Sequence, residues 1–425
     1  MKVQKISKSI SPFAGVSLVN NEFEKSGMSQ HIDNELGKRV KTVGYLYSDI
    51  IKNFGNVFYC GGDCAEDIQT HLKKHLKSIP NNHVSSADTI LRGIKELATE
   101  NTTYTSTQKK PYSFNINNKL NILNIKSLLL TKQLVKNTYY DFDYDNQIIA
   151  TEKYDTKLTY KHIKGYCPGV ATIGNKIVYI ENRDGNANVK FEQASTLHRA
   201  YKLLNDNDIK INRSRMDAGS YSKDIIKVVA SNSKLFYIRA NRSAELYKQI
   251  TEITKWETVE INFKIYEVAS IVFTQFYENE NYRLVVMREK SNTTQADLFT
   301  GDTLTYRSIL TNDWNSTEKE VIEFYNQRGS SENLFDVMNN DFGWKGLPCS
   351  FMNENTAYLI IMAMLKNFYN YFVGKVAGVF EDITPTTRLK RFIFRFISVA
   401  GKWVYSGRQW VLKLYTDKPY EALLV

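Results

Sequence analysis

Tyr139-Tyr140-Asp141-Phe142-Asp143-Tyr144-Asp145 is the stretch on which the reading of this chain turns. Aromatic and acidic residues alternate with the period of a strand, so Asp141, Asp143 and Asp145 share one face. Like charges crowded on one face are unfavourable unless a cation or hydrogen bonds offset them. Taken alone, the stretch is better read as an exposed Asp-rich edge strand or turn. Thr138–Asp143, Gln147–Thr151, Lys210–Met216 and Leu235–Arg239 read as strands, Gly169–Glu181 as one strand or two short ones, with helices at Ala194–Leu204 and Ser222–Ala230. This β-β-β-α-β-α-β order predicts a mixed α/β sheet that opens as a meander.

Outward from this core, residues 1–135 read as largely helical. Asp63-Cys64-Ala65-Glu66 has the form of a capping box, with Ile68, Leu72 and Leu76 following at helical spacing. A second helix runs from about Ala87 to Leu97, and Asn121–Val135 suits a third. Residues 241–316 change character. Ile261, Phe263 and Ile265 alternate with Asn262, Lys264 and Tyr266, and Arg283–Glu289 and Leu304–Leu310 read as strands, so a β-rich insertion is expected. Helical periodicity returns over 317–380. Tyr358–Leu365 is the most apolar run; it is too short to span a bilayer and reads as a buried helix. Met1-Lys2-Val3-Gln4-Lys5 leads into no apolar run, so no secretory signal is expected. Four cysteines in 425 residues fit a reducing cytosol better than a disulfide scaffold.

The formal charge is +11, which favours a polyanionic partner through counterion release. Its distribution says more. Residues 101–140 hold six lysines and no acid, and residues 383–416 hold Arg388, Lys390, Arg391, Arg395, Lys402, Arg408 and Lys413, again with no acid. Residues 241–316 carry eight basic and eleven acidic groups. One basic run is ordinarily a solvated face. Two runs with Tyr, Phe and Trp interleaved point to a nucleic-acid surface.

Two further stretches carry chemistry. Arg215-Met216-Asp217-Ala218-Gly219-Ser220-Tyr221 puts an Asp at the end of a short strand, before small residues and a helix. That is the carboxyl edge of a sheet, where α/β folds bind ligands; the plainer reading is an Asp that caps the next helix. In Tyr325-Asn326-Gln327-Arg328-Gly329-Ser330-Ser331-Glu332, offsets of three and four put Tyr325, Arg328 and Glu332 on one helical face. A solvated face explains it too, but Gly329-Ser330-Ser331 is poor helix material for a neutral filler.

Together these stretches resemble the DDE transposases of bacterial insertion sequences. The third matches the Tyr-x2-Arg-x3-Glu signature of the subgroup with a β-strand insertion before the catalytic Glu. The second resembles its Asp-Ser/Ala-Gly-aromatic motif, with Ser220 intervening before Tyr221. The first resembles its Leu-Asp-hydrophobic-Asp strand, whose second Asp maps onto Asp143. Gly165-Tyr166-Cys167-Pro168 and Arg183-Asp184-Gly185-Asn186 also resemble family segments, and the resemblance covers about 60–380. The chain departs from the signature at Asn339, where a Lys is usual, with Lys345 further on. The Asp141/Asp143/Asp145 spacing leaves the first ligand open by one strand step.

The resemblance implies an RNase H-like mixed sheet of α/β class. It would run over 136–240 and 317–380, interrupted by the insertion at 241–316, after a helical DNA-binding region at 1–135 and before a helical, basic region at 381–425. It implies Asp143, Asp217 and Glu332 as catalytic residues and metal ligands, with Tyr325 and Arg328 on DNA. Two Mg²⁺ ions, replaceable by Mn²⁺, roughly 3.5–4 Å apart would serve phosphodiester chemistry, and they need only oxygen donors. It further implies element-end and target double-stranded DNA as partners, a homodimer in a synaptic complex, no membrane, and a cytoplasmic, nucleoid-associated place. Other readings are a catalytically inactive, transposase-derived DNA-binding protein and an RNase H-like nuclease without strand transfer. Cys60, Cys64, His71 and His75 superficially suggest zinc, but six residues between Cys64 and His71 are too few for the usual spacing.

Overall fold

The computed structural model describes residues 1, 3–4, 10–39, 44–277, 280–290 and 303–424; within the expected insertion, 278–279 and 291–302 lie outside the described residues. Eleven strands form one sheet: β1 (Asn101–Thr105), β2 (Pro111–Asn115), β3 (Tyr139–Asn146), β4 (Gly169–Ile173), β5 (Lys176–Arg183), β6 (Lys210–Met216), β7 (Leu235–Arg239), β8 (Glu257–Ile261), β9 (Lys264–Tyr277), β10 (Glu280–Lys290) and β11 (Leu304–Thr311). Their spatial order is β1-β2-β5-β4-β3-β6-β7-β11-β10-β9-β8. Strands β3, β6 and β7 are parallel neighbours, and the other pairings are antiparallel.

A meander does open this part of the sheet, as β3-β4-β5, but not with all the expected strands: Gly169–Glu181 is two strands, and of Gln147–Thr151 only Ile149–Ala150 is a strand, in a separate three-stranded sheet with Lys157–Leu158 and Lys164–Tyr166. Crossover helices α6 (Gln193–Asp206) and α7 (Lys223–Asn232) then bring β6 and β7 in beside β3. Their apolar stripes cover the face carrying Phe142 and Tyr144, where the Phe142 and Tyr201 rings lie 4.7 Å apart. The acidic face of β3 therefore looks the other way. The β-rich insertion continues the sheet through β11, which pairs with β7 along Tyr237–Arg239.

Two further features differ from the sequence expectation. Strands β1 and β2 form a hairpin inside the region read as helical, and β2 pairs with β5 only at Asn182 and Arg183. Asparagines serve the rest of that β5 edge. Asn121 accepts from Ile180 N and donates to Ile180 O, and Asn367 does the same for Ile177. Buried backbone groups need partners, and these side chains supply them where a strand is missing.

The second difference is that the two ends of the chain form one helical lobe. Helices α1 (Val16–Lys25), α2 (Met28–Leu36), α3 (Tyr47–Tyr59), α4 (Ala87–Lys95) and α5 (Asn118–Leu130) pack with a later 26-residue helix, Met352–Ala377. That later helix is apolar nearly all round, as a helix enclosed by others must be. No helix among the described residues is long and apolar enough to cross a membrane. Ser11 and Gly401 exchange backbone hydrogen bonds of 2.8 and 3.0 Å, and Trp403 Nε1 donates to Ser17 Oγ. Gly15 is required here, because a side chain would collide with the Phe396 carbonyl. Residues 401–414 are a β-hairpin within the region expected to be helical and basic.

Candidate active site

Strands β3 and β6 run parallel, with Asp141 opposite Arg213 and Asp143 opposite Arg215. Arg213 Nε donates to Asp141 Oδ1 at 2.8 Å. Arg215 donates from Nε and Nη2 to both oxygens of Asp143, at 2.7 and 2.8 Å. Helix α8 (Glu318–Asn326) packs over this face and lays the Phe324 ring against both guanidinium groups, 3.8 and 4.5 Å from its centroid. Arg215 also caps the end of α8 through the Phe324 carbonyl, at 2.9 Å. One step nearer the carboxyl edge the alternation changes. Tyr144 pairs with Met216, so the next residues are Asp145 and Asp217, an acid beside an acid.

Asp145 takes its counter-charge from another element. Arg328 Nη1 donates to its Oδ2 at 2.8 Å, from the 3-10 turn Gln327–Gly329 that joins α8 to α9 (Ser330–Asn340). Burial pushes the Asp145 carboxyl above its ordinary value; Arg328 pulls it down and Asp217 adds to the rise. Burial works against the Arg328 charge, but Asp145, Tyr325 and Asp217 outweigh it and hold the guanidinium above its usual range. Asp217 Oδ1 accepts from Gly219 N at 2.9 Å, so this residue also caps the turn Ala218–Ser220. Glu332 is exposed in the first turn of α9. Asp145, Asp217 and Glu332 line one cleft of about 810 Å³.

The opposite wall is built by the two glycine-bearing segments singled out in the sequence. Cys167 N donates to Arg183 O at 3.0 Å, and a side chain on Gly185 would collide with the Gly165 carbonyl. Arg183 is buried and donates to the carbonyls of Asn188, Val189 and Phe191, which fixes the loop whose residues Asn186–Val189 face the cleft.

A family model described as Transposase DDE domain group 1 matches residues 1–425. The chain belongs to that transposase family. Members of the family generally use divalent metal ions. A solved cryo-EM structure, the piggyBac transposase synaptic complex with hairpin DNA, superposes with a TM-score of 0.43 and 10% identity over 91% of this chain and 80% of that one, a likeness too loose to argue from. A search of curated proteins finds no match.

Within this transposase-family chain, two of the three expected carboxylates, Asp217 and Glu332, meet at the cleft. Asp143 does not join them. It is 4% exposed, and both its oxygens are engaged by Arg215. Asp145, two residues on along β3, lines the cleft instead. The signal lay in the partner strand: Arg213-x-Arg215-x-Asp217 answers Asp141-x-Asp143-x-Asp145 rung by rung. Arg328 reaches the cleft's acid, but Tyr325 is only 9% exposed and packs among Val321, Ile322 and Tyr237. Burial pushes the Tyr325 hydroxyl up, with Arg328 and Arg239 opposing. Asn339 lines the cleft, and Lys345 instead donates to Asn340 Oδ1 at 2.7 Å.

The Cys/His set is not assembled. Cys60 is buried in the helical lobe, its thiol pushed up by burial, and the His75 ring meets the edge of Phe13. Among the described residues, one group of His, Cys or acid ligand atoms lies within 4.8 Å of one another: Asp63, Cys64 and Asp67. There Asp67 already accepts from Asp63 N and Cys64 N in an exposed turn.

Proposed function

We propose that this chain is the transposase of a bacterial insertion sequence, cutting DNA at the element ends and joining the freed 3′-hydroxyl to target DNA. Its catalytic carboxylates are Asp145, Asp217 and Glu332. The observation that carries this reading is the β3/β6 edge, where the rung after two Asp–Arg pairs sets Asp145 beside Asp217 in the cleft that Glu332 lines. The strand order β5-β4-β3-β6-β7, with β4 alone opposed in direction, supports an RNase H-like core. The Tyr-x2-Arg-x3-Glu spacing supports the insertion-bearing subgroup.

The donor set suits a hard divalent cation, Mg²⁺ with Mn²⁺ as substitute, because every donor is oxygen. Gln147 Oε1 and Asn186 Oδ1, both in cleft-lining residues, are buried acceptors without a donor among the described residues. Asp145, Asp217 and Glu332 would hold the metal. When bound, a pair of such ions activates an oxygen nucleophile and stabilises charge on the leaving oxygen.

The chain's own residues do the positioning. Arg328 is the counter-charge of Asp145, and its planar fork also suits the phosphate oxygens of a strand in the cleft. Tyr325 is the packed base of the turn that carries Arg328. Holding two element ends at once calls for a homodimer on double-stranded DNA.

The deciding experiment compares Asp145→Asn with Asp143→Asn. Nicking of a supercoiled plasmid bearing the element ends is measured in Mg²⁺, with Mn²⁺ binding followed by electron paramagnetic resonance. Asp145→Asn is expected to fold, lose nicking and bind Mn²⁺ weakly. Asp143→Asn is expected to keep parental Mn²⁺ affinity in its folded fraction. Parental nicking by Asp145→Asn defeats the assignment.

A further inference from the structure

The acid-free run 383–416 surfaces beside the catalytic helix. A groove of about 1180 Å³ is lined by Thr384, Thr386, Lys390, Arg391, Phe394 and Arg395, among others. Leu389, Phe392 and Phe396 are buried in the helical lobe, so the backbone that carries the basic residues is anchored. Lys390 and Arg391 are exposed, and among the described residues neither meets a carboxylate. Arg395 is already occupied with Asp382. Phe394 is 81% exposed at the same groove.

The groove is tied to the cleft. Arg388 donates to Asp341 from Nε and Nη2, at 3.0 and 2.9 Å, and to Asp336 from Nη1. Asp336 lines the carboxylate cleft, whereas Asn340 and Asp341 line the groove. The α9 segment that carries Glu332 is therefore the wall between the two.

We propose that this groove holds the sugar–phosphate backbone of duplex DNA whose continuation enters the carboxylate cleft. Lys390 and Arg391 each neutralise one phosphate, and Arg388 locks the groove to the catalytic helix. The contact is independent of base sequence, because flexible cations on an open groove recognise phosphate charge and not base edges. Phe394 offers the apolar surface a deoxyribose can rest on. The inference rests on the transposase reading above.

The test uses the full chain and a fluorescein-labelled duplex of mixed sequence, without divalent metal, with anisotropy read across a salt series. Each phosphate contact contributes about 0.9 to the slope of log K against log salt. The double variant Lys390→Gln/Arg391→Gln is expected to lose about 1.8 from the parental slope, with unchanged Mn²⁺ affinity. Lys390→Arg/Arg391→Lys is expected to restore it. Both side chains are exposed and unpaired, so folding is preserved, and a thermal melt checks this. Parental binding with an unchanged slope in the double Gln variant overturns the groove and leaves the transposase reading standing. Failure of the parent to bind duplex DNA at any salt overturns both.

Discussion

Within one pair of strands, the same residue type meets two different fates. Asp143 and Asp145 are two residues apart on β3, share a face, and look across at β6. Asp143 finds Arg215, gives it both oxygens and is sealed beneath Phe324. Asp145 finds Asp217, and its cation comes from a turn between two helices, with both side chains 19% exposed. The inner pair is complete in itself and has no capacity left for a ligand. The edge pair is held together from outside, which is the arrangement a carboxylate needs if it is to exchange one cation for another. Charge on a strand is thus neutralised within the sheet or by a partner from outside it, according to what the neighbouring strand offers at the same height.

The strongest way to break this contrast is through activity. Asp145→Asn, Asp217→Asn and Glu332→Gln are each expected to lower DNA cutting at least ~10³-fold, about 4 kcal/mol of transition-state stabilisation, with duplex binding retained. Single-turnover cutting under saturating protein measures this. A folded Asp217→Asn that cuts at the parental rate sinks the pairing of Asp145 with Asp217 as a functional unit.

Next in size is stability. Asp143→Asn strands a buried guanidinium, and breaking such a pair costs about 3–5 kcal/mol. Denaturant unfolding of Asp143→Asn is expected to show that loss, and Asp143→Leu/Arg215→Met to recover most of it. An Asp143→Asn protein as stable as the parent contradicts the structural role.

Lys366 sharpens the same point from the other side, as a buried amine with no acid partner among the described residues. Burial, with Lys176 adding to it, pushes its amine down to about 7, and it donates to the Asn175 carbonyl. Below pH 7 both folded and unfolded chains hold the proton, and the cost of burying the charge is fully present. From about 7 up to the ordinary value of 10.5, the unfolded chain binds the proton that the folded chain has released, so stability rises with pH. Lys366→Met is expected to flatten that slope and to raise Tm at pH 6. An unchanged pH slope in Lys366→Met refutes it.

Much of this was legible in the sequence because it is local. Period-two alternation located β3, the small residues after Asp217 marked a sheet edge, and the offsets from Tyr325 to Glu332 put Arg328 and Glu332 beside one cleft. What was not legible depends on register and on distance along the chain. Asp141, Asp143 and Asp145 are equivalent by periodicity, and only alignment with Arg213 and Arg215 separates them. The β1–β2 hairpin was masked by flanking helical segments, although Asn101-Thr102-Thr103-Tyr104-Thr105 has strand-favouring composition. Nothing in the N-terminal sequence announces that Ser11 pairs with Gly401, because that contact exists only once the sheet has brought the ends together.

The smallest expected effect belongs to the outer rung, and it tests the contrast most finely. Asp141 and Arg213 repeat the geometry of the Asp143–Arg215 pair, but their side chains are 30% and 35% exposed, against 5% and 8% for the inner pair. Exposed pairs contribute about 0–1 kcal/mol, because water screens them and solvates either partner left behind. Arg213 would also keep its place over the Phe324 ring, 3.8 Å from the centroid, when its acid is removed. Asp141→Asn is therefore expected to lose under ~1 kcal/mol in denaturant unfolding and to cut DNA at the parental rate. Across three aspartates of one strand face the same substitution should then register almost nothing at 141, a folding defect at 143 and a loss of chemistry at 145. If Asp141→Asn destabilises the chain as much as Asp143→Asn, burial is not what separates the rungs. If it abolishes cutting while Asp145→Asn does not, the reactive edge lies at the opposite end of the strand.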